Sequence, residues 1–385
     1  MKKKVLIVAN LSMHIIKVRK SLIQALEHAG YSVEIITARD KYFDVLLAEG
    51  YKIHELHALN SRGQSPFEQF KIYHEYKKLY KKIRPDFIFH YTIKPNIYGT
   101  IVADKLKIPS VITINGLGQV YENRLLFNIV SLMFKQACKK TKAVIFQNAD
   151  DLNIFLLKKL VDKNKTFLVN GSGIDCDVFS PLFCKNSFSG NMGKNLKFML
   201  TARLLWTKGL KEYYEAAQKI KKIYPLVTFY IVGYLQKDSK IGVTAEIMKT
   251  WEESGVIKFM DSVADIKQIL CKCDVAVLPS YYREGVPRVL IEGLAMAKPI
   301  ITTDNVGCKE TVIDNWNGFK IPVKNTEQLY YAFEKMILLE EDEFIKFRNN
   351  SRKLAVEKFS EKNILKLYLD LADKYCQPLA HISAV

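Results

Sequence analysis

The chain has 385 residues, of which 49% are apolar and 25% charged, and its net charge is +18. That length exceeds what one hydrophobic core organises and predicts two domains of ordinary globular composition. No apolar run approaches the roughly 18 residues of a membrane-crossing helix, which excludes a spanning segment of that kind.

The first 180 residues hold 28 Lys and Arg against 16 Asp and Glu. Most of the positive excess therefore lies in the N-terminal half. Such an excess suits nucleic acid, an anionic membrane surface or a phosphorylated substrate, and composition does not choose among them. The seven cysteines (138, 176, 184, 271, 273, 308 and 376) are odd in number and scattered. Cys271 and Cys273 are separated by one residue, which is neither a zinc-knuckle nor a redox-pair spacing. The pattern predicts reduced, structural thiols in a cytosolic protein.

Three lysines precede a short apolar run at 5–9, which reads as a buried first strand rather than the core of a signal peptide. Further strands are predicted at 32–37, 87–90, 111–114, 143–146 and 167–169, and helices at 15–29 and 98–106. A helix over 66–83 has a distinct start. Ser65 supplies a cap, Pro66 suits the first helical position, and Glu68 completes a capping box. Its Phe67, Phe70, Tyr73, Tyr76 and Tyr80 interleave with Lys71, Lys77, Lys78, Lys81 and Lys82, a pattern that suits an anionic lipid surface or a solvated face alike. Residues 125–134 are apolar on most sides and read more as core than as interface.

Residues 184–197 turn polar and glycine-containing, as a connector does. A second alternation follows, with strands predicted at 198–201, 227–232, 256–259, 275–278 and 300–303, and an amphipathic helix at 361–377. The α/β alternation predicts two doubly wound, Rossmann-like parallel sheets facing across a cleft, with ligands beyond the carboxyl ends of the strands. The expected divisions are 1–183, 184–360 and a C-terminal helical segment, 361–385, returning to the first domain.

Three strand-to-helix loops of the second half carry the candidate chemistry. Arg203 and Lys208 stand where a strand ends and a helix begins, a suitable place for two cations facing a diphosphate. Gly233 ends the next strand and permits close backbone approach. The loop after 275–278 runs through Glu284, Gly285, Val286, Pro287 and Arg288 to Glu292. Pro287 is placed to open a helix, so the amides of 285–288 face phosphate oxygens and Glu292 lies inside the helix. Taken singly, each residue is ordinary surface charge. Two carboxylates alone also fit a glycoside-hydrolase pair, a reading that leaves Arg203 and Lys208 unexplained.

Residues 201–209 (TARLLWTKG) and 279–321, with the two glutamates eight positions apart, resemble the retaining glycosyltransferases of family 4, which have the GT-B fold. The resemblance assigns Arg203 and Lys208 to the donor diphosphate, Glu292 to ribose hydroxyls and Glu284 to the donor sugar. Segments 10–19, 90–99 and 113–118 resemble one branch, whose members add N-acetylgalactosamine or a related sugar to undecaprenyl-diphosphate-linked sugars. In that branch the acceptor-side candidates are His14, Arg19, His90, Lys94, Asn115, Gly116 and Gly118. Many family members carry a histidine where Asn115 and Gly116 stand here, so the residue touching the donor sugar from that side is open.

The resemblance implies a retaining hexosyl or N-acetylhexosaminyl transfer from a UDP-sugar. It also implies an enzyme peripheral to the inner face of the cytoplasmic membrane, acting in polysaccharide or glycoprotein-glycan assembly beside other enzymes of that pathway. No Asp-x-Asp motif lies near the site, so no metal or other cofactor is expected. The alternatives are a relative using another UDP- or GDP-sugar with a lipopolysaccharide, capsule or soluble acceptor, an epimerase or glycogen-type synthase on the same fold, and a basic nucleic-acid-binding α/β protein. The last explains the charge and not the motif cluster.

Overall fold

The computed structural model describes residues 2–59, 66–121, 123–184, 195–235, 241–261 and 265–376. The chain divides into two compact units, residues 1–172 with 362–385, and residues 173–361.

The first unit is built on β1 (Lys4–Leu11), β2 (Ser32–Ala38), β3 (Ile53–Glu55), β4 (Phe87–Tyr91), β5 (Ser110–Ile114), β6 (Ala143–Phe146) and β7 (Thr166–Leu168). They form one sheet in the order β3-β2-β1-β4-β5-β6-β7, parallel at every pairing. The run Val5–Ala9 is buried throughout, as a central strand covered on both faces requires. The order reverses between β1 and β4, and a doubly wound sheet opens its binding crevice at such a point. The Glu361–Tyr375 helix packs into this unit's core through Ile364, Tyr368 and Leu371, with the Tyr368 ring 5.2 Å from that of Phe89.

Several elements differ from their sequence pattern. The helix expected at 15–29 is two, Ser12–Val18 and Lys20–His28, interrupted at Arg19 (φ −120°, ψ 0°). Arg19 is buried there, its guanidinium 4.0 Å above the Tyr91 ring, a contact that one-dimensional periodicity does not reveal. The helix expected at 98–106 begins earlier, as a π-type turn Pro95–Gly99 continued by Thr100–Lys105. The Pro66–Ile83 helix has the expected bounds, while its proposed cap, Ser65, lies outside the described residues. The aromatic residues of that helix do not form an outward face. Tyr76 and Tyr80 are fully buried with Ile72 and Ile83, and Phe70 points outward. Strand β3 was not anticipated, because three half-buried residues at a sheet edge carry no periodicity.

The second unit contains β8 (Lys197–Thr201), β9 (Thr228–Gly233), β10 (Ile257–Asp261), β11 (Val275–Leu278), β12 (Ile300–Thr303) and β13 (Gly318–Ile321). The order is β10-β9-β8-β11-β12-β13, again parallel throughout, with its reversal between β8 and β11. The short strand β13 was also not anticipated.

The boundary expected at 183/184 falls instead between Ser172 and Gly173. Ile174 bridges to Ser360, and the Arg352 guanidinium donates to the carbonyls of Cys176 (2.8 Å) and Phe179 (2.7 Å). These bonds tie residues 173–183 to the second unit, while the polar stretch 185–194 lies outside the described residues. The expectation of wholly reduced cysteines is corrected as well. Cys184 and Cys271, 87 residues apart, are disulfide-bonded, and the other five cysteines are buried free thiols. The fold brings the turn at Pro181–Phe183 onto the Ile266–Leu270 helix, where Lys267 lies 4.8 Å over the Phe183 ring. Sequence spacing does not encode that proximity.

Candidate functional site

Arg203 leaves the carboxyl end of β8, and Lys208 ends the short 3-10 turn Trp206–Lys208 that leads into the Leu210–Ile223 helix. Glu284 lies in the loop after β11, and Pro287 caps the Arg288–Ala295 helix with extended backbone geometry (ψ 116°). All four charged residues of the predicted constellation, Arg203, Lys208, Glu284 and Glu292, therefore fall at carboxyl-end loops of the central strands or on the helix that follows β11.

The two loops are joined by hydrogen bonds. The amides of Tyr281 and Tyr282 donate to the Thr207 carbonyl at 3.0 and 3.1 Å. The Lys208 ammonium, only 8% exposed, pairs with Glu284 Oε1 and lies 4.8 Å over the Tyr282 ring. Ser280, fully buried, donates to the Thr207 carbonyl at 3.2 Å and reaches Glu284 Oε1 at 3.4 Å. The strand after β11 holds the loop from behind. Thr303 Oγ1 donates to the Ser280 carbonyl at 2.5 Å, and Asn305 Nδ2 to the Tyr282 carbonyl at 2.9 Å. Arg203, half-buried, has no carboxylate partner among the described residues.

Glu292 is buried on the second turn of its helix, where Oε1 accepts from Arg288 Nε at 3.0 Å. Arg288 Nη1 also donates to the Gly173 carbonyl at 3.2 Å. The Leu290 amide donates to the Pro287 carbonyl at 3.1 Å, and the amides that precede it have no acceptor within such a helix and carry its positive dipole end.

Two glycines set the backbone approach here. A Cβ on Gly233 would lie 2.0 Å from the Ala202 carbonyl, so β9 meets the Arg203 turn only through glycine. Gly307 has φ +80°, and a Cβ there would lie 1.9 Å from the Gly285 carbonyl. Beside it, burial and then the charge of Glu284 push the Cys308 thiol up to about 12, so it remains protonated at neutral pH. Ser280, Tyr282, Thr303, Asn305 and Gly307 were not singled out from sequence. Polar residues at strand ends and a glycine between loops were the available signals.

In the first unit, the acceptor-side candidates separate into two groups. His90 is a core residue. Its Nε2 pairs with the Tyr80 hydroxyl at 2.8 Å, its Nδ1 with the Thr100 hydroxyl at 3.1 Å, and burial lowers its pKa to about 3. Its placement as an acceptor contact is corrected: both ring nitrogens are used inside the fold. Gly99 permits this, since a Cβ there would stand 2.7 Å from Nε2.

The other candidates lie at carboxyl ends of β1, β4 and β5 or just beyond them. His14 and Lys94 are half-buried, as are Asn115, Gly116 (φ 140°) and Gly118 (φ 53°) in the loop after β5. Arg19 stacks on Tyr91 and reaches Tyr368, and its Nη2 is buried without a hydrogen-bond partner among the described residues. Asn10, Asn96 and Asn115 each bury a side-chain oxygen that likewise lacks a partner. Asn96 is held by its amide, which donates to the Thr113 carbonyl at 2.8 Å, while Thr113 Oγ1 meets the Tyr368 hydroxyl at 2.9 Å. Asn10 and Asn96 were missed from sequence. A buried polar atom left unpaired costs about 1–3 kcal/mol, so this cluster at the reversal point is suited to a polar ligand.

Comparison with known proteins gives a consistent pattern. The family described as glycosyl transferases group 1 matches residues 185–355, and the glycosyl transferase 4-like family matches residues 4–148. The chain is 29% identical over 371 residues to the N,N'-diacetylbacillosaminyl-diphospho-undecaprenol alpha-1,3-N-acetylgalactosaminyltransferase of Campylobacter jejuni, covering 92% of this chain and 94% of that protein. It is 25% identical over 294 residues to the capsular polysaccharide biosynthesis glycosyltransferase CapM of Staphylococcus aureus, covering 74% and 76%. In fold it is similar to Anabaena HepE, solved in complex with UDP and glucose, with a TM-score of 0.77, 17% identity and coverage of 97% and 100%.

Proposed function

The chain belongs to the glycosyltransferases that those two families describe, with the GT-B fold, and we propose that it transfers a hexose or N-acetylhexosamine from a UDP-sugar to an undecaprenyl-diphosphate-linked sugar. N-acetylgalactosamine is the first candidate, on the likeness to the Campylobacter enzyme. The observation that carries the donor half is the loop pair 203–208 and 280–292, where Lys208 and Glu284 meet beside a helix N-terminus.

In this reading the donor diphosphate lies against the first-turn amides of the Arg288–Ala295 helix, with Arg203 and Lys208 as its cations. An ammonium has three donors, so Lys208 can keep Glu284 and still bind a phosphate oxygen. Glu284 accepts hydrogen bonds from the donor sugar, and Glu292 from the ribose. The bond from the anomeric carbon to the diphosphate breaks as the acceptor oxygen bonds to the same face, with retention. The acceptor proton passes to the leaving phosphate. Charge developing on that phosphate is stabilised by Arg203, Lys208 and the amides. These groups supply positive charge without a metal, so transfer is expected to persist in EDTA.

Arg19 and the buried oxygens of Asn10, Asn96 and Asn115, all at or beyond strand ends of the first unit, support an acceptor carrying phosphate and sugar there. Among the described residues no helix is long and apolar enough to cross a membrane, which suits an enzyme peripheral to the cytoplasmic face and meeting a lipid-linked acceptor there. A capsule-type acceptor is the second reading, on the likeness to CapM.

A screen of radiolabelled UDP-sugars against a short polyprenyl-diphosphate sugar tests the proposal, with the anomeric configuration of the product read by NMR. Transfer with retention is expected. Transfer to soluble acceptors alone would overturn the lipid-linked reading.

A further inference from the structure

We propose that the outer face of the Arg124–Lys140 helix docks on an anionic lipid bilayer. The inference deepens the lipid-linked reading above by naming the surface that meets the membrane.

This helix has two apolar faces and a single core. Its inner face, Phe127, Ser131, Phe134, Ala137 and Cys138, is buried against β5, β6 and the Ala149–Leu157 helix, with the Phe134 ring 5.3 Å from that of Phe155. On the outer face Leu125, Ile129 and Leu132 are 72%, 51% and 66% exposed. At roughly 100° per residue these three project within about 60° of one another, one stripe along two turns. A helix packed on one side only has no folding reason to place three large aliphatic side chains on the other.

Charge identifies the occupant. The helix contains Arg124, Lys135, Lys139 and Lys140 and no acidic residue. Arg124, Lys135 and Lys139 fall along one flank of the stripe. At the C-terminal end Lys142 follows, and Lys165 is held there by donating to the carbonyls of Lys139 and Thr141, each at 3.1 Å. Lys158 lies 5.2 Å over the Phe127 ring. Asp104 pairs with Lys140 of this group. An aliphatic stripe flanked by cations fits acyl chains beneath anionic headgroups, whereas a second copy of this chain would bring the same positive charge against itself.

Position supports the same occupant. The helix follows the loop that carries Asn115, Gly116 and Gly118, and Leu117 and Tyr121 of that connection pack with its Phe127. A bilayer touching the stripe would present a lipid-linked diphosphate near those loops. The Pro66–Ile83 helix, the other basic and aromatic candidate, places Tyr76 and Tyr80 in the core and offers no comparable stripe among its described side chains.

The test is co-sedimentation of the full chain with vesicles of phosphatidylcholine alone or mixed with phosphatidylglycerol. Binding to the mixed vesicles, weakened by salt, is expected, with a loss of at least about ten-fold in Leu125→Gln/Ile129→Gln/Leu132→Gln. Lys135→Glu/Lys139→Glu is expected to remove the preference for the anionic lipid. Should the triple variant misfold, Ile129→Gln alone with an unchanged melting curve serves the same comparison. Equal binding by the stripe variants overturns the proposal. So does a wild-type chain that ignores vesicles and forms a dimer dissociated by the same substitutions. UDP binding, measured on the same proteins, is expected to be indifferent to the stripe. A chain that sediments through the stripe yet binds no UDP would refute the donor site and leave the docking surface standing.

Discussion

The two units treat their polar residues differently. In the second, two pairs of charged groups at the strand ends satisfy one another, Lys208 with Glu284 and Arg288 with Glu292, while Arg203 has no carboxylate partner among the described residues and Thr207 Oγ1 is buried without a hydrogen-bond partner among them. In the first, Arg19, Asn10, Asn96 and Asn115 bury polar atoms without hydrogen-bond partners among the described residues. On the proposed assignment, the second unit is a donor side with two charge pairs pre-positioned inside the fold, and the first an acceptor side where a polar ligand would complete the hydrogen bonds. Pre-positioned charge costs little reorganisation when a diphosphate leaves. Unsatisfied buried donors and acceptors reject a ligand lacking matching groups.

The largest expected effect comes from breaking the internal pair. Glu284→Ala leaves the Lys208 ammonium buried and alone, a change that destabilises by about 3–5 kcal/mol, and it removes a group proposed to touch the donor sugar. Turnover is expected to fall about 10³-fold with a lowered melting temperature. An unchanged melting temperature would contradict the pairing. A smaller and more selective effect is expected from Arg19→Gln in the first unit. Loss of one charged hydrogen bond corresponds to about 1.5–3 kcal/mol, so the acceptor KM should rise about 10- to 100-fold while UDP affinity stays constant. Parallel losses of acceptor and UDP affinity would show that Arg19 acts through the fold, and Arg19→Lys checks whether charge alone restores function.

The smallest expected effect lies outside both sites. Burial opposes ionisation of Glu34, but hydrogen bonds from Lys52, His54 and Lys4 outweigh it and hold the carboxyl near about 2. Because that value lies below the ordinary one, the stabilisation is fully present above about pH 4.5 and is lost as pH falls through about 2. Denaturant melts across that window should show a proton-linked slope that Glu34→Gln removes. An identical slope in the variant would show that other groups carry it.

Legibility in the sequence follows the same division. Runs such as Ala143–Phe146, Val275–Leu278 and Ile300–Thr303 coincide with buried central strands, because a parallel sheet covered on both faces demands continuous apolar residues. The loops that carry Arg203, Lys208, Glu284 and Glu292 were legible as a candidate site because these residues lie at fixed offsets from such strands. The network in the first unit was not, because Asn96, Thr113, Tyr368 and Arg19 come from four separate segments that only the fold assembles. Tyr76 and Tyr80 were misread for a related reason: a basic and aromatic helix has the same composition whether its rings face lipid or the core. The outward stripe of the Arg124–Lys140 helix was hidden by the reverse problem, since apolar residues on both faces read as core.

Calorimetric titration of UDP into the wild-type chain and into Glu292→Ala tests the donor assignment most directly. Glu292 is proposed to hold the ribose, and loss of a buried charged acceptor corresponds to about 1.5–3 kcal/mol. The account predicts UDP binding by the wild type without added metal, and affinity about 10- to 100-fold weaker in the folded variant. Equal affinity in the two proteins, or no UDP binding by the wild type, would contradict it.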